Sequence, residues 1–381
     1  MYNFKEKELG PNFAKENLKE FKELINSSLS FVVISMPGVG VSYFLKYLAM
    51  QVFAYFIHVD LYSLPILSQH EFYKLLLTEL GGKPGSKTDE QLLLESKKII
   101  HQLTNPQKRT KIVIMFSRFD QLNKQFDWNF LSNIQSLTQV SPGNIVLIFT
   151  STRPLNEIVN PAALSGGNLN FYSEILYFKP YSKEDLKKLL KIEPARLTSK
   201  EILERLLDLS GGHNQLFHIL LSSPKQNLLL DRFVKMQMKE LIDYLDYHQK
   251  KQIQKIALGK RVEEVDEYLL GVGMVKKFQI FSPLLSEYIK TNMPVKLPVK
   301  EAKLFKLLRK NMGRTVSKDE IFSEVWPARN ASHSDAGGED QEASDWALDA
   351  LVYRLRKHPF MQANGYIIES HKKVGYTLIQ A

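Results

Sequence analysis

The chain has 381 residues, of which 44% are hydrophobic and 24% charged, with no cysteine and a formal net charge of +10. The apolar content excludes a wholly disordered chain and the length calls for two to four domains. The lack of cysteine excludes disulfide frameworks, thiolate catalysis and cysteine-ligated zinc. The positive charge favours an acidic partner, nucleic acid or an anionic membrane surface, although the excess is spread along the chain.

Residues 12–29 place Leu18, Phe21, Leu24 and Ile25 at helical spacing, which predicts an amphipathic helix. Short apolar strands and helices then alternate. The strands fall over 31–35, 54–60, 111–116, 144–150 and 174–178, and the helices over 42–52, 69–80, 89–103 and 128–138. Nearly continuous apolar strands separated by helices are the pattern of a parallel sheet covered on both faces. The apolar runs are far short of a bilayer span and the N-terminus lacks the apolar stretch of a signal peptide. No membrane partner is therefore expected, and the cytoplasm is the expected compartment.

From Ser182 the pattern turns helical. Ser182 with Asp185 resembles a capping box opening a helix over 183–190, and further helices follow over 201–209 and 215–221. The stretch to about Asn292 reads as mostly helical, with a short polar hairpin before its last helix, and residues 293–298 form a linker with two prolines. Beyond the linker come helices over 300–311, 317–325 and 345–358, then strands over 366–370 and 376–380. The small and acidic residues of 327–344 cannot pack a core, so this loop is expected to be disordered.

Helix, helix, loop, helix, hairpin is the order of a winged helix. On the helix over 345–358, Leu348, Leu351, Val352 and Leu355 form one apolar stripe. The other face carries Trp346, Ala347, Asp349, Ala350, Tyr353, Arg354, Arg356 and Lys357. In a major groove Arg354 suits guanine, while Ala347 and Ala350 permit close approach and thymine-methyl contact. Tyr353, Arg356 and Lys357 suit phosphate oxygens, and the wing tip His371-Lys372-Lys373 suits the adjacent minor groove. Asp345 and Asp349 set negative charge on or near the same face.

The blocks VSKDEIFSEVW, ALDALVYRLRKHP and YIIESHKKVGYTLIQ resemble the effector domain of the OmpR/PhoB family of bacterial response regulators. Arg354-Leu355-Arg356 stands at that family's Arg-Leu-Arg, and Gly375-Tyr376 at the Gly-Tyr that closes its wing. The resemblance covers residues 298–381. It implies an α+β winged helix, a double-stranded DNA partner and a minor-groove role for Lys372. It also implies contact with RNA polymerase through the 327–344 loop, which is longer here than in the family. A receiver domain would need an acidic pair after the first strand, where this chain has Met36-Pro37-Gly38, so aspartyl phosphorylation is not expected.

Ser35-Met36-Pro37-Gly38-Val39-Gly40-Val41-Ser42 lies between a strand and a helix, the place of a Walker A loop. Ser35 stands for the first glycine and Val41 for the lysine; Lys46 is a poor geometric substitute. Gly38, Val39, Gly40, Val41 and Ser42 are the vestigial nucleotide-binding candidates. Residues 112–122 resemble the Walker B strand of AAA+ and STAND ATPases, with Ser117 and Arg118 in place of the Asp-Glu pair and Asp120-Gln121-Leu122 retained. Residues 145–153 resemble a sensor-1 strand, and LSGGHNQLF over 209–217 resembles the STAND lid motif, Asn214 replacing its proline. His213 reads as a lid-packing residue rather than a ligand or base.

This second resemblance covers residues 12–292. It implies a degenerate P-loop parallel sheet core over 1–180, a helical lid over 181–222 and a degenerate winged-helix or helical domain over 223–293. Phosphoryl transfer relies on charge compensation by metal and lysine. With neither residue set present, no hydrolysis, catalytic residue, metal site or cofactor is expected, while binding of ATP with magnesium by the loop amides stays open. The leading expectation is a sequence-specific, double-stranded-DNA-binding transcription regulator whose pseudo-ATPase module senses a ligand or docks a protein. The alternatives are an ATP-switched STAND or origin-binding-like AAA+ ATPase and a non-transcriptional DNA-binding adaptor.

Overall fold

A computed structural model describes residues 8–104, 111–125, 127–159, 174–192, 199–223, 227–293, 298–326, 344–358, 360–361, 365–372 and 374–380. The expected disorder of 327–344 thus falls on residues that, but for Ser344, lie outside this description. The chain forms two compact units, one of Met1–Lys250 with Glu263–Leu285 and the other of Lys251–Val262 with Ser286–Ala381.

The first unit is built on five parallel strands, β1 (Phe31–Ser35), β2 (Tyr55–Asp60), β3 (Ile112–Ser117), β4 (Ile145–Ser151) and β5 (Ile175–Phe178), in the order β2-β3-β4-β1-β5. Every residue of β1, β3 and β4 is buried, as their unbroken apolar runs require, whereas edge strand β2 buries only Ile57 and Val59. The covering helices are α1 (Lys15–Asn26), α2 (Val41–Gln51), α3 (Gln69–Glu79), α4 (Asp89–Leu103) and α5 (Trp128–Gln135). Phenylalanines fix much of the packing. Phe21 of α1 meets Phe31 of β1 and Phe44 of α2 at ring separations of 5.3 and 4.7 Å. Phe72 of α3 meets Phe116 of β3 and Phe130 of α5 at 5.6 and 5.1 Å.

Short α6 (Leu155–Ile158) follows β4; then come α7 (Lys183–Ile192), α8 (Lys200–Ser210), α9 (Asn214–Ser222) and α10 (Arg232–Asp243). The Ser182 cap is present: Asp185 N–H donates to Ser182 Oγ at 3.1 Å. Helix α11 (Tyr247–Ala257) leads out of this unit. The chain returns through α12 (Glu267–Gly271) and the hairpin of β6 (Val275–Lys276) and β7 (Gln279–Ile280), whose turn residues Lys277 and Phe278 both have positive φ, before α13 (Pro283–Asn292). The stretch 223–293 is therefore shared between the two units rather than forming one body.

The C-terminal unit holds α14 (Val299–Lys310), β8 (Val316–Ser317), α15 (Lys318–Val325), α16 (Asp345–Arg356), β9 (Tyr366–His371) and β10 (Gly375–Gln380). The strands are antiparallel in the order β8-β10-β9. Leu304, Leu308, Ile321, Leu348, Leu351, Leu355 and Leu378 form a core from which solvent is excluded. Ser317 and Glu320 make a reciprocal capping box at the start of α15. The two-residue strand β8 was not expected from the sequence. It fits because Gly375 has no side chain: a Cβ there would lie 1.9 Å from the Val316 carbonyl oxygen.

Candidate functional site

In the first unit, β1 lies between β4 and β5, and the chain leaves it for the far edge strand β2. Crevices at the carboxyl ends of strands at such a crossing are where open α/β sheets bind ligands. The loop between β1 and α2 borders a cavity of about 1150 Å³, also lined by Arg118, Asp120, Thr152, Asn214, Glu240 and Tyr244. Neither Lys46 nor Ser117 lines it.

The loop keeps a phosphate-loop backbone with positive φ at Gly38 (75°) and Gly40 (110°). Its carbonyls are held from the β5–α7 and α8–α9 connections and the start of α9. His213 Nε2 lies 2.8 Å from Pro37 O, Gln215 N–H donates to Gly38 O at 3.0 Å, and Tyr181 Oη donates to Gly40 O at 2.8 Å. Among the described residues the amides of Gly38, Gly40, Val41 and Ser42 meet no acceptor. Val39 and Val41 are buried and Ser42 is exposed.

His213 is completely buried. Leu216 N–H donates to its Nδ1 at 3.2 Å, so Nε2 carries the proton given to Pro37 O. Burial pushes this imidazole down to about 4. The sequence signal for its clamp is the preceding Gly211-Gly212. A Cβ at either glycine would lie within 2.2 Å of a backbone oxygen, Phe281 O for the first and Tyr181 O for the second.

At the end of β3, Ser117 is buried with Oγ 2.7 Å from His58 Nε2, and burial pushes His58 below its ordinary value against the pull of Asp60. Arg118 has φ 61° and donates its N–H to Thr150 Oγ1 at 2.8 Å. Its guanidinium lies 4.4 Å from the Tyr62 ring centre, with Nη1 3.9 Å from Asp60 Oδ1. Asp120 is satisfied by Thr152, whose N–H and Oγ1 donate to Oδ2 at 2.9 and 2.6 Å. Tyr268 Oη donates to Thr152 O at 2.5 Å and Arg153 Nε to Tyr244 O at 3.0 Å, contacts that the sequence did not signal.

In the C-terminal unit, α16 buries Leu348, Leu351, Val352 and Leu355 and turns the expected face outward. Trp346 is 76% and Tyr353 57% exposed, with Ala347 and Ala350 half-buried between them. Lys357 Nζ sits 4.8 Å over the Tyr353 ring. Arg354 is over half exposed but donates Nε to the buried carboxylate of Glu301 on α14 at 2.9 Å.

Arg356 is exposed, and its guanidinium is also tied to the wing. Its Nε donates to Ile368 O at 2.9 Å and its Nη2 to Ser370 Oγ at 2.5 Å, tying the helix end to β9. The reason is position: at the last turn of α16 it faces two acceptors of the wing strand. His371 is likewise directed back to the sheet, Nε2 lying 2.9 Å from Thr377 Oγ1. Lys372 is exposed, and Lys373 lies outside the described residues. Of the two acids near the face, Asp345 pairs with Lys318 at 2.8 Å and Asp349 accepts from Tyr376 Oη.

Residues 292–378 match the family model described as transcriptional regulatory protein, C terminal. Three solved structures are similar over most of the chain. One is the Orc1 protein of Aeropyrum pernix in complex with DNA, at 11% identity over 99% of this chain and 94% of that one, TM-score 0.42. A second is a Walker-type ATPase of Pyrococcus abyssi, at 14% identity over 72% and 95%, TM-score 0.47. The third is the RuvB Holliday junction branch migration motor of Thermotoga maritima, at 15% identity over 76% and 96%, TM-score 0.36. No curated protein matches the chain. Sheet order, loop geometry and the family match together define a P-loop ATPase-like fold joined to a C-terminal winged helix of the OmpR/PhoB type. Among the described residues, no helix is long and apolar enough to cross a membrane.

Proposed function

We propose that this protein is a sequence-specific double-stranded-DNA-binding transcription regulator acting in the cytoplasm, and that its P-loop unit is a non-hydrolysing module that senses a ligand or docks a protein. The DNA half of this reading rests on the outward face of α16, where Trp346, Tyr353, Arg354 and Lys357 stand clear of the core of a winged helix that matches the regulatory family. The non-hydrolysing half is supported by Val41 at the lysine position and by Ser117 and Arg118 at the carboxylate pair, which leave phosphoryl transfer without its usual charge compensation. Contact with RNA polymerase through 327–344 belongs to the same proposal. The test is selection of bound duplexes from a random pool with the full chain, with and without ATP and magnesium. One enriched motif in both conditions is expected; no motif in either overturns the reading.

A second reading is favoured by the cavity itself: an ATP-switched DNA-binding ATPase of the origin-binding kind. Four loop amides that meet no acceptor among the described residues, at the start of α2, are suited to an anion. Phosphate release above background together with DNA affinity that depends on ATP would favour it over the first. Genome-wide mapping of bound sites separates promoters from origins, and a distribution matching neither points to a DNA-binding adaptor.

A further inference from the structure

The segment Lys251–Val262 belongs to the C-terminal unit, yet it lies outside the stretch that matches the regulatory family. It carries Lys251, Lys255, Lys260 and Arg261 and no acidic residue. Ile253 and Ile256 are buried, while Lys255, Lys260 and Arg261 are exposed. The side-chain amide of Gln254 donates to Met293 O at 2.9 Å, which fixes the segment to the lead-in of the winged helix.

Helix α11 ends in a glycine cap. Gly259 has φ 67°, its N–H donates to Ile256 O at 2.9 Å, and Lys260 N–H donates to Lys255 O at 2.9 Å. This cap folds Lys260 back over the last helical turn beside Lys255. The helix dipole accounts for a cation within that turn, but Lys260 and Arg261 lie beyond it. None of the three has an acidic partner among the described residues. Lys260 is also close enough to α16 for its charge, after burial, to help hold His358 below its ordinary value, and Glu301, the partner of Arg354, acts on the same imidazole.

We propose that Lys255, Lys260 and Arg261 form a second phosphate-contacting strip for duplex DNA, on the same unit as the exposed face of α16. This rests on the reading that the unit binds DNA. Each lysine or arginine that neutralises a phosphate releases counterion, so three contacts contribute about 2.7 to the slope of log affinity against log salt. Such contacts carry no sequence information and leave the recognised motif unchanged.

The experiment titrates the full chain with a duplex bearing its selected site, over a range of potassium chloride, by fluorescence anisotropy. The variant is K255Q/K260Q/R261Q; the control, K15Q/K19Q/K22Q on α1, removes the same charge from the other unit. The expected result is a slope shallower by about 2–3 in the variant. Affinity should fall by the same factor on selected and scrambled duplexes, and the control should keep the wild-type slope. K260Q alone should flatten the slope by about 0.9, which guards against a triple variant that folds poorly. A wild-type slope in the variant, or an equal change in the control, overturns the strip while leaving DNA binding intact. A wild-type chain that binds no duplex at any salt overturns the DNA-binding reading and the strip with it.

Discussion

His213 makes the stability of the first unit depend on pH in a defined direction. The unfolded imidazole takes up a proton below its ordinary value of 6.5, whereas burial delays protonation of the folded one until about 4. Between those values the unfolded chain binds more protons, so stability is complete above pH 6.5 and declines as the pH falls toward 4. Each pH unit is worth about 1.4 kcal/mol, so moving from pH 7 to 4.5 removes about 2.5 kcal/mol from this group alone. H213Q abolishes the titration while its amide still offers a donor to Pro37 O. Other groups titrate equally in both proteins, so the difference isolates His213. Because the chain has two units, a single melting temperature mixes their transitions. Hydrogen exchange resolved over α9 gives the local opening free energy instead. The wild type should lose about 2.5 kcal/mol more than H213Q over this range. Parallel pH profiles would refute a neutral, buried His213 clamp.

Further outcomes concern single contacts. G375A puts a Cβ 1.9 Å from Val316 O, an immovable backbone atom, and should destabilise the C-terminal unit by about 1–3 kcal/mol, read as faster exchange in β8 and β10. R354A strands the Glu301 carboxylate, whose side chain is only 8% exposed, and should cost about 1–3 kcal/mol at neutral pH; R354A/E301Q should recover part of it, measured by urea denaturation. R356A removes the bonds to Ile368 O and Ser370 Oγ, so exchange in β9 should accelerate while α16 stays protected. G38A meets Gln215 Oε1 at 2.0 Å and Gln215 Cβ at 2.9 Å and holds alanine at φ 75°; the amide end can swing aside but Cβ cannot, so about 1–3 kcal/mol should be lost, read as faster exchange in α9.

The strands were legible because uninterrupted apolar runs such as Ile145–Phe149 admit few other fates, and the loop because Pro37-Gly38-Val39-Gly40 breaks such a run before a helix. The exposed side of α16 was equally legible from its 3.6-residue period. What periodicity does not encode is which polar groups meet across the fold. His213 and Pro37 are 176 residues apart, and Arg354 and Glu301 are 53 apart. Arg356 is a surface cation in sequence and in the fold alike, but its acceptors, a carbonyl and a hydroxyl of β9, arrive only with the wing in place. Strand β8 has two residues and no alternation to detect; the signal lay in Gly375, whose missing side chain makes room for it.

The backbone passes between the two units three times, after Lys250, Val262 and Leu285. Many DNA-binding modules are portable cassettes, cut at one linker and spliced onto another sensor. This one is interleaved with its neighbour, so a fragment beginning at the proline linker leaves Lys251–Val262 behind. A graft that preserves the whole unit must carry that segment with it, and the family match alone marks the wrong place to cut.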